Sequence, residues 1–360
     1  MTDRMIALRS CWHPVAYTAD VAEAPRGADL LGCPLVLWRD SRGAVHAFDD
    51  LCVHRGTALS LGQVRGDELV CAYHGWRYGT EGACTFIPQL PDPTRVPARA
   101  RAVTHACQER YGVVWVALEA PRWPLPEVPE LEDPGWKVVR TGPFAWRCDA
   151  SRQVENFTDF GHFSFVHPGL LGDPEQPVVA PYDVRVEGHV LRYDYARPDS
   201  KNTDDFPVYA EGGRDADRRL TRYALHLPFT IVEFIGWQCE VSSPAASRAT
   251  DRDQCEVSSP AASRATDGER TSETLVYFFA SQPVALDRCI GYCLVARNYN
   301  LDQPDSVMQE FERVIFGQDQ RVVESQRPEA VPFDLAAELH LRFDAVAVAY
   351  RRAMQANGFG

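Results

Sequence analysis

The sequence predicts an α+β chain in two parts. An N-terminal antiparallel β domain covers residues 1–120, and a second antiparallel sheet, with helices before and after it in sequence, covers 137–360. Three observations carry this. Up to Val116 the apolar residues fall in short alternating runs separated by Gly, Asp and Ser, the pattern of half-buried strands. Residues 121–134, PRWPLPEVPELEDP, are proline-dense, acidic and without periodicity, which reads as a connector over 121–136. Beyond it, further strand-like runs lie between a short helical stretch near Glu155 and a longer one after Asp302.

Size and charge narrow the function. At 360 residues the chain is longer than one common domain, and 45% hydrophobic with 11% aromatic content supplies sizeable cores. A formal charge of −13 argues against nucleic acid or an anionic membrane as partner. The start, MTDRMIALRSCWHP, has no apolar run resembling a signal peptide. No stretch approaches the roughly 20 apolar residues of a spanning helix, so a cytoplasmic protein is expected. Eleven cysteines, an odd number, argue against a disulfide framework. Cys11, Cys33, Cys84, Cys107, Cys148, Cys289 and Cys293 are expected in apolar packing.

In the first part, Leu35 to Trp38 and Ala44 to Phe48 flank Asp40-Ser41-Arg42-Gly43 as a hairpin. Gly66-Asp67 turns the chain into Glu68 to Cys71, and Tyr111 to Val116 supplies a closing strand. One antiparallel sheet with two loops at one end follows. Those loops carry Cys52-Val53-His54-Arg55-Gly56 and Cys71-Ala72-Tyr73-His74-Gly75-Trp76. Two thiolates and two imidazoles can hold a metal centre, and a zinc site has the same ligand count. The order Cys-x-His then Cys-x-x-His resembles the Rieske [2Fe-2S] motif, in which two cysteines bind one iron and two histidines the other. Zinc fingers instead group cysteines with cysteines. His13, His46 and His105 lack paired spacing and read as structural.

In the second part, Tyr182 to Tyr195 alternates around Glu187-Gly188, and Tyr223 to Phe234, Glu273 to Ala280 and Ile290 to Val295 are strand-like. Gln238 to Asp251 recurs unchanged as Gln254 to Asp267, which reads as a tandem duplication forming a Ser/Ala/Pro-rich surface insertion over 238–267, or as a lid over a substrate entrance.

A second metal site is drawn from Glu155 to His167, ENFTDFGHFSFVH. Asp159 and His162 are three apart and share a face if helical. His162 and His167 are five apart, so a helix there must distort or end between them, and Pro168-Gly169 supports an ending. Alone, this segment reads as a helix end with satisfied histidines. A third ligand arises independently. After Asp302 or Asp305 as N-cap, Met308, Phe311, Ile315, Val322 and Gln326 follow helical spacing, and Asp319 falls on the same stripe. A carboxylate on a buried face needs a partner or a metal, and Arg313 or Arg321 are the alternative partners. Two histidines and one carboxylate describe the facial triad of non-haem Fe(II) oxygenases.

With these motifs the chain resembles the large subunit of a Rieske non-haem iron oxygenase from Trp12 to the C-terminal helix. The matches are the two cluster motifs, Asn156 through His167, and Gln318-Asp319. The resemblance is closer to the single-component type, with vanillate and dicamba demethylases, phenoxybenzoate oxygenase and saxitoxin-tailoring hydroxylases. For that last group, Cys107 to Val116, Gly169 to Asp173 and Tyr350-Arg351-Arg352 are the similar runs.

The resemblance implies a helix-grip catalytic domain and a homotrimer. It makes Cys52, His54, Cys71 and His74 the [2Fe-2S] ligands and His162, His167 and Asp319 the ligands of a mononuclear Fe(II), with Asp159 as the inter-subunit electron-transfer bridge. O2 is then co-substrate, and electrons come from NAD(P)H through a separate reductase or ferredoxin. The expected activity is C-H monooxygenation of a small organic substrate, as hydroxylation or oxidative O- or N-demethylation, in secondary metabolism or aromatic catabolism. Arene cis-dihydroxylation is the alternative within the class, and an electron carrier or ligand-binding module without turnover the alternative outside it. Phe160, Phe163, Phe165, Phe229, Phe234, Tyr277 and Phe278 are divided between pocket and core, mostly core.

Overall fold

A computed structural model of the protein describes residues 3–197, 218–238 and 274–360. A short helix α1 (Asp3–Leu8) leads into β1 (His13–Tyr17), β2 (Arg26–Leu30), β3 (Cys33–Arg39) and β4 (Val45–Asp49). A separate group follows, β5 (Gln63–Arg65), β6 (Glu68–Val70), β7 (Arg77–Gly79) and β8 (Cys84–Phe86), before β9 (Thr104–Arg110) and β10 (Val113–Ala117). The expected single sheet is two: six strands in the order β1-β10-β9-β4-β3-β2, and four in the order β5-β6-β7-β8. The second group, in which each strand is three residues long, pairs as its own antiparallel meander. Both cysteine-histidine loops adjoin it, one between β4 and β5 and the other between β6 and β7.

The connector is packed rather than free. Leu125, Val128 and Leu131 are buried. The Tyr111 hydroxyl donates to the Pro126 carbonyl at 2.9 Å and accepts from the Val128 N–H at 2.8 Å. The segment ends in a 3-10 turn over Pro129–Leu131, and its buried residues tie it down as a strap.

Then come β11 (Lys137–Trp146), α2 (Ala150–Thr158), α3 (Phe163–Val166), β12 (Arg185–Glu187), β13 (Val190–Arg197), β14 (Arg218–His226), β15 (Thr230–Gln238), β16 (Thr274–Ala285), β17 (Arg288–Arg297), α4 (Asp305–Val323) and α5 (Ala345–Ala356). The strands form one antiparallel sheet in the order β11-β17-β16-β15-β14-β13-β12. The unexpected member is β11, whose alternation is masked by Gly142-Pro143, where the register with β17 shifts between Thr141 and Phe144. The run Tyr223 to Phe234 is two strands, with Pro228, which has no N–H to give a ladder, in the turn between β14 and β15. The duplicated segment lies outside the described residues beyond Gln238.

Helix α4 begins one residue from expectation: Pro304 is the N-cap without a side-chain bond, and Asp305 sits in the first turn, where its charge meets the helix dipole. The buried stripe runs Met308, Phe311, Ile315, Asp319 and Val323, while Val322 is exposed and Gln326 lies past the helix end. One apolar cluster crosses from the first sheet (Val15, Leu37, Val116) to the second (Leu225, Phe279) through Val139 and Val154. Among the described residues no helix is long and apolar enough to cross a membrane. His13, His46 and His105 hydrogen-bond to the Leu8 carbonyl, Asp40 and Asp49, the expected structural roles. Of the seven cysteines expected in packing, Cys33 and Cys107 are only half-buried and the other five are buried.

Helix α2 (Ala150–Thr158), which leads to the histidine segment, is anchored at its start and along its length. Asp149 caps it by accepting from the Ser151 N–H at 2.8 Å, and Arg4 of α1 binds the same carboxylate at 2.7 and 2.9 Å. Along its length, Glu155 takes two bonds from Arg351 of α5, at 2.6 and 2.8 Å. Glu338 joins Arg351 to Arg152 at 2.6 and 2.8 Å. Arg351 is 2% exposed. Its replacement by alanine strips buried Glu155 of both hydrogen bonds and leaves it only Arg152, 3.9 Å away, so a loss of about 3 kcal/mol is expected in urea unfolding. An unchanged midpoint would refute the network's structural role.

Candidate metal centres and substrate cavity

The two cysteine-histidine loops are built alike. The Cys52 N–H donates to the Thr57 carbonyl and its own carbonyl accepts from the Gly56 N–H, at 2.8 and 2.9 Å. The Cys71 N–H donates to the Trp76 carbonyl and its carbonyl accepts from the Gly75 N–H, at 2.9 and 3.0 Å. Each loop closes through a glycine at positive φ, 73° at Gly56 and 70° at Gly75, a conformation that would strain any other residue. The closures bring His54 Nδ1 within 3.1 Å of His74 Nδ1. The Cys52 and Cys71 thiols interact with each other, and the Tyr78 hydroxyl lies 3.1 Å from Cys52 Sγ, placed to donate to a thiolate. Burial pushes the Cys52 thiol up, against the pull of the Tyr78 hydrogen bond. The four candidate side chains divide into an imidazole pair and a thiol pair. Two irons need that division, whereas one tetrahedral zinc would draw all four together.

The second site lies where α2 stops. Asp159 is the extended C-cap of α2, and His162 and His167 are the N-cap and C-cap of the four-residue α3. Asp159 and His162 therefore do not share a helical face as expected; the chain breaks between them, and a one-turn helix, not a continuous one, sets the two histidines five residues apart. Asp159 Oδ2 accepts from His162 Nδ1 at 2.9 Å and Oδ1 from the Gly161 N–H at 2.9 Å. Burial pushes the Asp159 carboxyl up, but the bonds from His162 and Gly161 outweigh it and hold it below its ordinary value.

Proton placement decides what these side chains can do. Nδ1 of His162 is committed to Asp159, and Nδ1 of His167 donates to Gln318 Oε1 at 2.7 Å. That leaves a lone pair on each Nε2. His167 Nε2 is buried without a hydrogen bond, yet stands 2.9 Å from Asp319 Oδ1, and His162 Nε2 stands 3.5 Å from the same oxygen. Two lone pairs aimed at a carboxylate repel one another unless a cation lies between them. Among the described residues these three alone gather ligand atoms all within 4.8 Å of one another. Two nitrogens, one carboxylate and a dry wall fit a divalent iron with open positions. The alternative partner Arg313 is taken by Glu310 at 2.6 Å.

Sequence reasoning gave no role to Gln318 or Asn156. Gln318 fixes the His167 ring, and Asn156 Nδ2 approaches Asp319 Oδ1 at 3.4 Å. The available signal was position alone: Asn156 heads the histidine segment and Gln318 adjoins Asp319. Gln318→Ala should weaken Fe(II) binding about 10–100-fold in equilibrium dialysis. Unchanged affinity would remove Gln318 from the site.

A cavity with about 660 Å³ of empty space opens onto the triad, walled by α2, α3, α4 and the central strands β14 to β16. Of the seven aromatic residues divided between pocket and core, Phe160, Phe163 and Tyr277 line it. Phe165 is exposed, and Phe229, Phe278 and Phe234 belong to packed clusters. The helix aromatics Phe157 and Phe316 are wall residues that the sequence did not single out, and Phe311, expected only on the buried stripe of α4, joins them.

Known proteins resemble this chain over both of its parts. Residues 11–104 match the Rieske [2Fe-2S] domain, and residues 146–357 match the Vanillate O-demethylase oxygenase C-terminal domain. Methylxanthine N1-demethylase NdmA of Pseudomonas putida is 31% identical over 98% of this chain and 90% of its own. Its structure with caffeine superposes with a TM-score of 0.77 at 28% identity, covering 98% of this chain and 91% of that one. Dicamba monooxygenase bound to dicamba gives a TM-score of 0.77 at 22% identity, over 98% and 97% of the two chains, a likeness of fold. A stretch of 113 residues, 31% of this chain and 19% of the relative, is 42% identical to Oxidoreductase NdmD of Pseudomonas putida.

Proposed function

The chain belongs to the Rieske non-haem iron oxygenases of the vanillate O-demethylase type, and from that membership and the site we infer oxidative demethylation of a small N- or O-methylated substrate. The observation that carries this is the convergence of two proton-free imidazole nitrogens and one carboxylate on the wall of a largely apolar cavity. Residues 1–120 would accept electrons and 137–360 perform the chemistry. Cys52 and Cys71 would hold one iron of the cluster and His54 and His74 the other; His162, His167 and Asp319 would hold the mononuclear iron. With iron bound there, the site supplies O2 activation, and the cluster supplies electrons singly.

The chain's own groups set the conditions. Asp159 and Gln318 keep both imidazoles in the tautomer that presents Nε2. The aromatic walls exclude water and hold the methyl group near the triad. The overall change is R–CH3 on nitrogen or oxygen plus O2, two electrons and two protons, giving R–H, formaldehyde and water. One oxygen atom enters the methyl carbon and the other leaves as water.

Electrons must reach the triad from the cluster, yet among the described residues no hydrogen bond joins the two ligand loops to residues 155–167 or 319. Asp159 retains 36% of its side-chain exposure on a face beside the triad. This supports a homotrimer in which His74 of one copy meets Asp159 of the next, with a separate NAD(P)H-dependent reductase as donor.

The test supplies reductase, NADH and O2 with aryl N-methyl and O-methyl compounds and measures formaldehyde against substrate-dependent O2 uptake. One formaldehyde per O2 is expected. A stable alcohol would instead mean hydroxylation without demethylation, and O2 uptake indifferent to every substrate would contradict the demethylase reading.

A further inference from the structure

Two carboxyl groups besides Asp319 face the same cavity. Tyr223 of β14, Glu233 of β15 and Tyr277 of β16 stand directly opposite one another in the strand registers and form one row on the cavity wall. Opposite them, Glu312 projects from α4 seven residues before Asp319, on the same buried face. The Tyr223 hydroxyl donates to Glu233 Oε1, and the Tyr277 hydroxyl to Glu312 Oε1, each at 2.8 Å. Glu312 is 3% exposed.

A buried carboxylate is costly without a cationic partner. Among the described residues lining the cavity there is no lysine or arginine. Burial is the main influence on Glu312, opposed by the Tyr277 hydrogen bond and reinforced by Glu233 and Asp319, and it pushes the carboxyl up to about 8, so near neutral pH Glu312 keeps its proton until a cation seated beside it draws the proton off. Much of the remaining wall is aromatic, including Phe157, Phe160, Phe163 and Phe316. Aromatic faces around a buried carboxyl are the surroundings that recognise methylated ammonium groups. Among the described lining residues an aryl carboxylate would find no lysine or arginine.

We propose that Glu312 is a specificity-determining residue and that the substrate is an organic cation, an N-methylated ammonium whose charge Glu312 neutralises while the aromatic wall holds its methyl groups. This rests on the demethylation reading and narrows it to nitrogen.

The experiment is calorimetric binding to the metal-loaded full chain, without reductase. Three probes are used: N,N-dimethylbenzylamine, its carbon isostere isobutylbenzene, and 4-methoxybenzoate. The amine should bind at least about tenfold more tightly than the isostere, and the benzoate most weakly. Glu312→Gln, which keeps the shape and can still accept from Tyr277, should abolish the amine's advantage and leave the isostere within about twofold. An advantage unchanged in the variant, or a benzoate bound more tightly than the amine, overturns the proposal. Should Glu312→Gln lose its cluster absorption through misfolding, the order of the three probes on the wild type decides alone. Formaldehyde is measured separately with reductase added. Glu312-dependent amine binding without formaldehyde would sink demethylation and leave the cation site standing; formaldehyde from 4-methoxybenzoate, with no preference for the amine, would do the reverse.

Discussion

Asp319→Ala is expected to lower product formation on the order of 10³-fold or more while the visible absorption of the cluster stays that of the wild type. The carboxylate oxygen stands 2.9 and 3.5 Å from the two imidazole nitrogens and supplies the only negative charge of the triad. Without it, two neutral nitrogens hold a divalent ion weakly. The loop hydrogen bonds that shape the cluster site involve residues 52–57 and 71–76 and should be untouched. The check is single-turnover product against cluster absorbance in the same sample. Wild-type turnover in the variant would take Asp319 out of the chemistry.

Asp159→Asn should slow reoxidation of the reduced cluster by O2 and substrate about 10–100-fold, with both metals retained. The amide oxygen can still accept from His162 Nδ1, where the carboxylate now does at 2.9 Å, so the ring keeps its place. What is lost is the charge between the triad and the exposed face on which a neighbouring copy would dock. Stopped-flow absorbance of the cluster reads the rate and metal analysis the content. A wild-type rate in a variant holding both metals would remove Asp159 from the electron path.

The cluster motif was legible because its geometry is local: a cysteine, a histidine two or three residues on, and a glycine that closes the loop. The triad was legible in part, because Asp319 is a carboxylate on an apolar stripe and the two histidines precede Pro168-Gly169. Its backbone was not, since nothing in ENFTDFGHFSFVH says that α2 ends at Thr158 and that the histidines bracket a single turn. The role of Gln318, and Glu312 altogether, escaped notice for another reason: polar residues are ordinary on helices, and only the packed structure shows one against His167 and the other buried over the cavity. Strand β11 was hidden by its own Gly142-Pro143, and the division of the first domain into two sheets by strands of three residues, too short to show periodicity.

The central claim, that one chain carries a two-iron cluster and a separate mononuclear iron, is tested most directly by counting iron and acid-labile sulfide per chain in anaerobically purified wild type and Asp319→Ala. About three irons and two sulfides are predicted, falling to about two irons with sulfide unchanged in the variant. About two irons in both, with no third taken up from added Fe(II), would contradict the claim and leave an electron carrier.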